Sequence, residues 1–521
     1  MLRTAITKQA ARAGARSSSS SAVRPAALAS NQPPAAPHAP PPPPPPSGRS
    51  ARAQDDNKTP QPFILRPLSR RYQLESVSAA PSIDPASAST TLSFVSPSAP
   101  NTPRTVTVPN LWLRDASIHP DHVHPSSNQR LFRTSEIPLH GKLVGYGVHD
   151  LPTHGECLVT EWSEPLRTRG TNPTTAKLSV VPTKDLVNLL ENPHHPFSDS
   201  DLPLPRTWDR AALQKTLVRM PYDRFKSDDK ALFETLDALV QDGIVFLTGV
   251  PNQKREGHDT ELRKAVERIG SLRRTWYGDL WDVKAVEGSR NIAYTNLDLG
   301  LHMDLTHFDN PPRYQFLHSL QNARVKGGLS YFVDTFAVAS HLHATNPSVF
   351  NTLAHERVHF EYRNGPHHTR FVRPTFELAQ GSKSRLHAVN YSPPFQGPLP
   401  LERLSPQRDG NVVSDDAHRL ADLHDALSHF SALCDDPASS YRFEHQLEPG
   451  ECVIFDNRRV LHARTAFEFE PATEEGEEVG RWLKGAYMDG DELWSKWRVL
   501  SRQVREAEEE RLRTKGRTLF V

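Results

Sequence analysis

His302 and Asp304 stand two residues apart in the stretch from Gly300 to Leu320. On an extended segment, positions i and i+2 project from one face. An imidazole and a carboxylate so placed can take adjacent positions on one metal ion. A remote second histidine would complete a two-histidine, one-carboxylate facial triad, the ligand set of non-haem Fe(II) oxygenases, with the opposite face left open. His462, which follows the strand-like run Cys452 to Phe455, is the candidate. Taken alone it reads equally well as a satisfied histidine at a strand end. Asn310-Pro311-Pro312 soon after the pair forces an extended turn, and Gly327-Gly328 punctuates the next strand.

Downstream, Gly480 to Met488 has the pattern of a strand whose one face carries Arg481, Leu483, Gly485 and Tyr487. A guanidinium facing inward needs an anion, because an unpaired buried charge is costly, and its fork fits a carboxylate. The alternative is a rim salt bridge to the acidic loop Glu474 to Glu478. Ahead of the triad, Trp276, Tyr277, Trp281 and Tyr294 form a dense aromatic set. Such sets are usually core, but aromatic faces also hold quaternary ammonium groups by cation–π attraction. Tyr277 and Trp281, four apart, are expected to share a helical face.

The elements that must position these residues follow from periodicity. Ser227 to Val240 reads as a helix, with Ser227 as N-cap and Leu232, Phe233, Leu236, Leu239 and Val240 as its apolar stripe. Ile244 to Thr248 is a buried-strand run, and a second helix spans about Thr260 to Ile269, stopping at Gly270. Strands then dominate until a last helix from about Glu492, with Leu493, Trp497, Leu500 and Val504 inward. Helices first and then many strands around a metal motif fit a mainly β fold with flanking helices, a double-stranded β-helix (jelly roll) with an interior site. Before it, residues 105–205 are short apolar runs broken by Pro, Gly and Asn, including Asn110 to Arg114, and read as a small β-rich domain. Within it Thr183 to Glu191 is an expected short helix with Thr183 as cap, and His119, His122 and His124 an expected solvated turn.

The chain of 521 residues has room for two domains and tails. With 62 basic and 61 acidic residues it gives no reason to propose nucleic acid as a partner. Three scattered cysteines exclude a disulfide framework, and no apolar run reaches the roughly 18 residues of a membrane span. Residues 1–60 are set apart. Arg3, Lys8, Arg12, Arg16 and Arg24 precede the first acid, Asp55, in a Ser- and Ala-rich stretch. That is the composition of a mitochondrial transit peptide, or else of a disordered basic tail. Pro40 to Pro46 is a stiff polyproline spacer. The expected parts are thus the leader and linker 1–60, a β-rich domain 61–205, the jelly roll 206–510 and a tail 511–521.

On these residues the chain resembles the taurine dioxygenase-like Fe(II)/2-oxoglutarate oxygenases, and within them the γ-butyrobetaine and trimethyllysine dioxygenase family, especially its fungal members. The resemblance spans roughly residues 109–500. It is carried by Leu111-Trp-Leu-Arg-Asp115, Asp242-Gly-Ile-Val, Tyr277-Gly-x-x-Trp281, Asn291-Ile-Ala-Tyr-Thr295, His302-x-Asp304, Asp456-Asn-x-Arg-x-Leu-His462 and Arg481-x-Leu-x-Gly-Ala-Tyr487. It implies Fe(II) on His302, Asp304 and His462, and 2-oxoglutarate on Arg481 with help from Ser330 and Asn291. It also implies a trimethylammonium cage of Tyr277, Trp281, Tyr294 and Tyr487, with Asn390 as a further substrate contact. The implied reaction is hydroxylation of γ-butyrobetaine to L-carnitine with O2, ascorbate as reductant, a mitochondrial matrix location and a homodimeric state. Two departures stand out. Where relatives carry a Cys-rich zinc cluster after the Leu-Arg-Asp motif, this chain has Ser117, His119 and His122, so no family-type zinc is expected. Leu305 follows Asp304 where human-type butyrobetaine enzymes have a tyrosine at the substrate carboxylate. That leaves trimethyllysine as the alternative substrate, and a catalytically silent binding protein of the same fold as a rival of another class.

Overall fold

The computed structural model describes residues 72–80, 88–96, 99–124, 126–151, 154–166, 177–191, 202–257, 259–284, 299–469 and 480–518. The leader, the proline run, Asn291, Tyr294 and the acidic loop 474–478 lie outside these residues.

Ten strands carry the site: β1 (Arg219–Pro221), β2 (Ile244–Thr248), β3 (Leu280–Lys284), β4 (Leu299–His302), β5 (Tyr314–Ala323), β6 (Ser330–Asp334), β7 (Arg442–His445), β8 (Cys452–Asp456), β9 (Val460–Arg464) and β10 (Gly480–Met488). They form a six-stranded sheet in the order β1-β2-β8-β5-β10-β3 and a four-stranded sheet in the order β4-β9-β6-β7. Every pairing but β1–β2 is antiparallel. The inner faces meet through Phe332 of the small sheet, which packs edge-on to Phe246 and Phe455 of the large one, at 6.3 and 5.7 Å between ring centroids. This is the jelly roll expected from the sequence.

Alternation along each strand decides what faces in. On β5, Tyr314 and Phe316 join the apolar cluster under the helices, whereas Leu317 joins the cluster between the sheets. On β10, Ala486 and Met488 face the helices and Leu483 faces the interior. The outer face of the large sheet is covered by α1 (Asp229–Asp242), α2 (Glu261–Ile269) and α3 (Gly490–Thr518). Leu232, Leu236 and Leu239 of α1 are buried at helical spacing, each contributing about 2 kcal/mol through burial. The cap of α1 is Asp228, whose carboxylate accepts from Lys230 N at 2.9 Å. The expected cap, Ser227, instead ends a preceding one-turn helix and donates to the Asp223 carbonyl. Gly243 closes α1 at a φ of 76°, a left-handed position suited to glycine. α3 begins slightly earlier than expected and runs through Thr518, so most of the anticipated tail is helical. Leu493, Trp497 and Leu500 are buried in it.

The N-terminal part has two three-stranded antiparallel sheets and its own apolar cluster around Leu92, Phe94, Leu158 and Trp162. Two expectations change there. Asn110 to Asp115, read as part of a β-rich run, is a short helix, and its Arg114 is buried with its guanidinium on the Pro138 and Glu164 carbonyls. Thr183 is the first residue of its helix and spends its hydroxyl on the Glu156 carbonyl.

Candidate metal and ligand cavity

His302 closes β4 and sits opposite His462 on β9, with ring centroids 4.2 Å apart. Asp304 is not on the strand but in the turn that follows. One ligand atom from each of His302, Asp304 and His462 lies within 4.8 Å of the others, the only such trio of His, Cys, Asp or Glu found among the described residues. The His302 Nδ1–H donates to the Gly300 carbonyl at 2.9 Å, so its tautomer presents Nε2. Burial, and then the neighbouring His302, hold the His462 imidazole down to about 3. Burial pushes the Asp304 carboxyl up, but the hydrogen bond from His302, the proximity of the two imidazoles and the Tyr487 hydroxyl outweigh it, leaving the acid well below its usual range. A neutral imidazole beside an ionised carboxylate is the donor state that a divalent cation needs. His462 Nδ1 is also buried without a partner.

What holds Asp304 was not foreseen from the sequence. Asn457 clamps it: Oδ1 accepts from Asp304 N at 2.8 Å, and Nδ2 donates to the carbonyls of Asp304 and Pro312 at 3.0 and 3.1 Å. Tyr487 donates its hydroxyl to Asp304 Oδ2 at 2.7 Å. Leu305, next in the turn, has a φ of 58° although it is not glycine, which costs about 1 kcal/mol of backbone energy. Below the clamp, Arg459 is buried with Asp334 at 2.9 Å and also donates to the Gln241 and Arg206 carbonyls. The Asp-Asn-x-Arg-x-Leu-His motif is therefore a brace as well as the source of the candidate ligand His462. Tyr487→Phe is expected to weaken divalent-metal binding by about 10- to 100-fold, as losing a partner of a metal ligand does. Calorimetric titration with Mn(II) measures it, and an unchanged affinity would make the phenol immaterial.

Around the triad is a cavity of about 850 Å³ including its mouth. Arg481, Ser330 and Arg464 line one end; Tyr277, Trp281, Tyr487, Leu305 and Phe395 line another part of it. Arg481 is 7 % exposed and meets no carboxylate among the described residues. Burial and then Arg464 pull its guanidinium down to about 9. A buried cation facing a cavity is a seat for an anion. Trp281 and Tyr487 stack with centroids 5.2 Å apart and an interplanar angle of 28°, making one continuous wall. Gly485 permits it, since a Cβ there would lie 2.3 Å from Trp281 Cζ2.

Three expectations need correction. Tyr277 and Trp281 share no helix: Tyr277 is in a turn closed at Gly278, whose φ is 98°, and Trp281 is on β3. Both still reach the cavity. Asn390 does not line it; its amide is buried and donates to the Pro374 carbonyl and to Glu377 at 2.9 and 3.0 Å. His122 is not on a solvated turn but fully buried, with Nδ1 2.9 Å from Ser117 Oγ and its ring edge-on to Phe132. Trp276 stands apart from the cavity, stacked on Tyr362 and His367. Phe395 and Arg464 are cavity residues that no motif had singled out.

Comparison with known proteins bears on this site. The family described as "Taurine catabolism dioxygenase TauD, TfdA family" matches residues 200–487. Dioxygenase str8 of Strobilurus tenacellus is 38 % identical over 393 residues, covering 75 % of this chain and 84 % of its own length. The γ-butyrobetaine dioxygenase of Pseudomonas sp. (strain AK-1) is 29 % identical over 394 residues, covering 75 % and 90 %. Mitochondrial trimethyllysine dioxygenase of Bos taurus is 25 % identical over 303 residues, covering 57 % and 64 %.

Proposed function

This chain belongs to the taurine catabolism dioxygenase TauD, TfdA family, and from that premise we propose that it hydroxylates γ-butyrobetaine to L-carnitine. Membership makes it a dioxygenase and implies iron and 2-oxoglutarate. The observation that carries the reading is the meeting, in one cavity, of the triad, a buried guanidinium and an aromatic wall.

His302, Asp304 and His462 would hold iron(II). When bound there, iron couples reduction of O2 to decarboxylation of 2-oxoglutarate and hydroxylation of a C–H bond. The rest is the work of the chain. Arg481 takes the far carboxylate of 2-oxoglutarate in its fork, with the Ser330 hydroxyl beside it. Tyr487 and Asn457 fix Asp304 so that the ligand set is formed before anything binds. Trp281, Tyr487 and Tyr277 present ring faces to the trimethylammonium, a contact of about 2 kcal/mol when water is excluded. With the cation seated, one methylene is held at the metal and water is kept away. Tyr294 and Asn291 are assigned to the cage and to the cosubstrate by resemblance alone.

Leu305 favours a second reading, N6-trimethyllysine, because the tyrosine that meets the butyrobetaine carboxylate in human-type enzymes is missing here. The silent binding protein has less support, since it calls for a separated triad. Residues 61–205 are taken as a separate small domain on the strength of their own apolar cluster. Mitochondrial import by the basic leader, ascorbate as reductant, a zinc-free N-terminal part and a homodimer complete the proposal. Among the described residues no helix is long and apolar enough to cross a membrane. Purified protein given Fe(II), 2-oxoglutarate and each substrate separately is expected to release succinate with γ-butyrobetaine. Release with trimethyllysine alone would install the second reading, and turnover of neither would remove the quaternary-amine assignment.

A further inference from the structure

The strands Arg357–Asn364 and His367–Pro374 pair with each other in a two-stranded sheet of their own. A lone ribbon of this kind is marginal in water and needs packing to stay formed. Its root has that packing. Val358 and Phe360 are buried with Leu423, and the buried Arg373 donates to the Phe308 and Asp309 carbonyls. Further out, none of residues 361–372 is fully buried, and Arg363, His368 and Arg370 are exposed.

What grips the outer half comes from elsewhere in the chain. Trp276, in the turn closed at Gly278, lies nearly parallel to His367 and Tyr362, with centroids 4.7 and 5.4 Å away. His307 is stacked with both Trp276 and Tyr362, and its Nδ1 is 2.7 Å from Thr369 Oγ1. Trp276 belongs to none of the apolar clusters of the core among the described residues. Its partners are these rings, and they adjoin the cavity without lining it. The rings that do line it rest against the stack. Tyr277 follows Trp276 with centroids 6.0 Å apart, and Phe395 packs on Tyr362 and His307 at 5.9 and 5.4 Å. The Phe395 segment is also bonded to the hairpin, through Gly397 N and the His359 carbonyl at 2.8 Å.

We propose that Trp276 is a positioning residue. By stacking on Tyr362 and His367 it fastens the outer half of the hairpin, and so holds Tyr277 and Phe395 in place on the cavity wall. The consequence for substrate rests on the function proposed above; the fastening itself does not.

The test uses Trp276→Leu and His367→Leu, singly and combined, with Trp276→Phe as the conservative control. Neither position lines the cavity. In ligand-free protein, amide hydrogen exchange over residues 361–369 should quicken about tenfold in each single variant, because local opening is opposed there by ring contacts. Residues 357–360 should keep the wild-type rate, the double variant should match Trp276→Leu, and Trp276→Phe should stay near wild type. In turnover, Trp276→Leu should raise the KM for γ-butyrobetaine about fivefold and leave kcat and the KM for 2-oxoglutarate unchanged, the mark of lost substrate binding alone. Unchanged exchange, or exchange quickened throughout the chain, would overturn the fastening. An unchanged KM for γ-butyrobetaine, or an equal rise for 2-oxoglutarate, would overturn the positioning role. Should wild type turn over neither quaternary amine, the function proposed above fails, and the exchange rates still decide whether Trp276 fastens the hairpin.

Discussion

Asp304→Ala is expected to lower succinate release by more than a hundredfold while the protein stays folded. The carboxylate is one of three donors, so its loss leaves two imidazoles, and losses in the surrounding shell alone cost about 10–100-fold in metal affinity. The fold should survive because Asn457 grips the backbone of residue 304, through its N–H and carbonyl, and not its side chain. One cost remains, the Tyr487 hydroxyl left without its acceptor, about 1 kcal/mol. Succinate assays at saturating Fe(II), with circular dichroism and a thermal melt alongside, test this. Retained activity would refute the triad. Lost activity with a collapsed melt would mean that Asp304 serves the fold instead.

The second large effect is expected at Arg481. Arg481→Met should raise the KM for 2-oxoglutarate by at least about a hundredfold, since a charge-assisted hydrogen bond contributes about 1.5–3 kcal/mol and a fork makes two. The same substitution should not destabilise the ligand-free protein. The guanidinium is held down to about 9 by burial and by Arg464. A base whose folded value is depressed has its charged form disfavoured by the fold at every pH below that value, neutral pH included. Removing it should relieve a penalty, and 2-oxoglutarate, if Arg481 holds it as proposed, should relieve the same penalty in wild type. Wild type should therefore melt higher when 2-oxoglutarate is added and Arg481→Met should not. A variant with lowered ligand-free stability and an unchanged KM would make Arg481 the rim salt bridge that the sequence also allowed.

The contrast between these residues and others explains what could be read in advance. Arg481 was legible because an arginine in phase with Leu483 and Tyr487 must face inward. The His302 and Asp304 pair was legible from spacing, although the strand ends at His302 and Asp304 is brought round by a left-handed Leu305. No local pattern announces such a turn, because it is held by Asn457 from far along the chain. The error at Tyr277 and Trp281 came from trusting a four-residue interval across Gly278, whose backbone no helix accommodates. Ser227 failed as a cap because one more turn of helix precedes it, and Asn390 because its amide was already committed to Pro374 and Glu377.

The clamp between Asp304 and Asn457 joins positions 153 residues apart. Closing a loop of that length costs on the order of 4 kcal/mol of chain entropy. No fragment carrying only one half of the ligand set can recover that cost. The ligand set is therefore complete only once the two sheets have come together. An ion held by His302, Asp304 and His462 would span the same closed loop and act as a clasp on the finished topology.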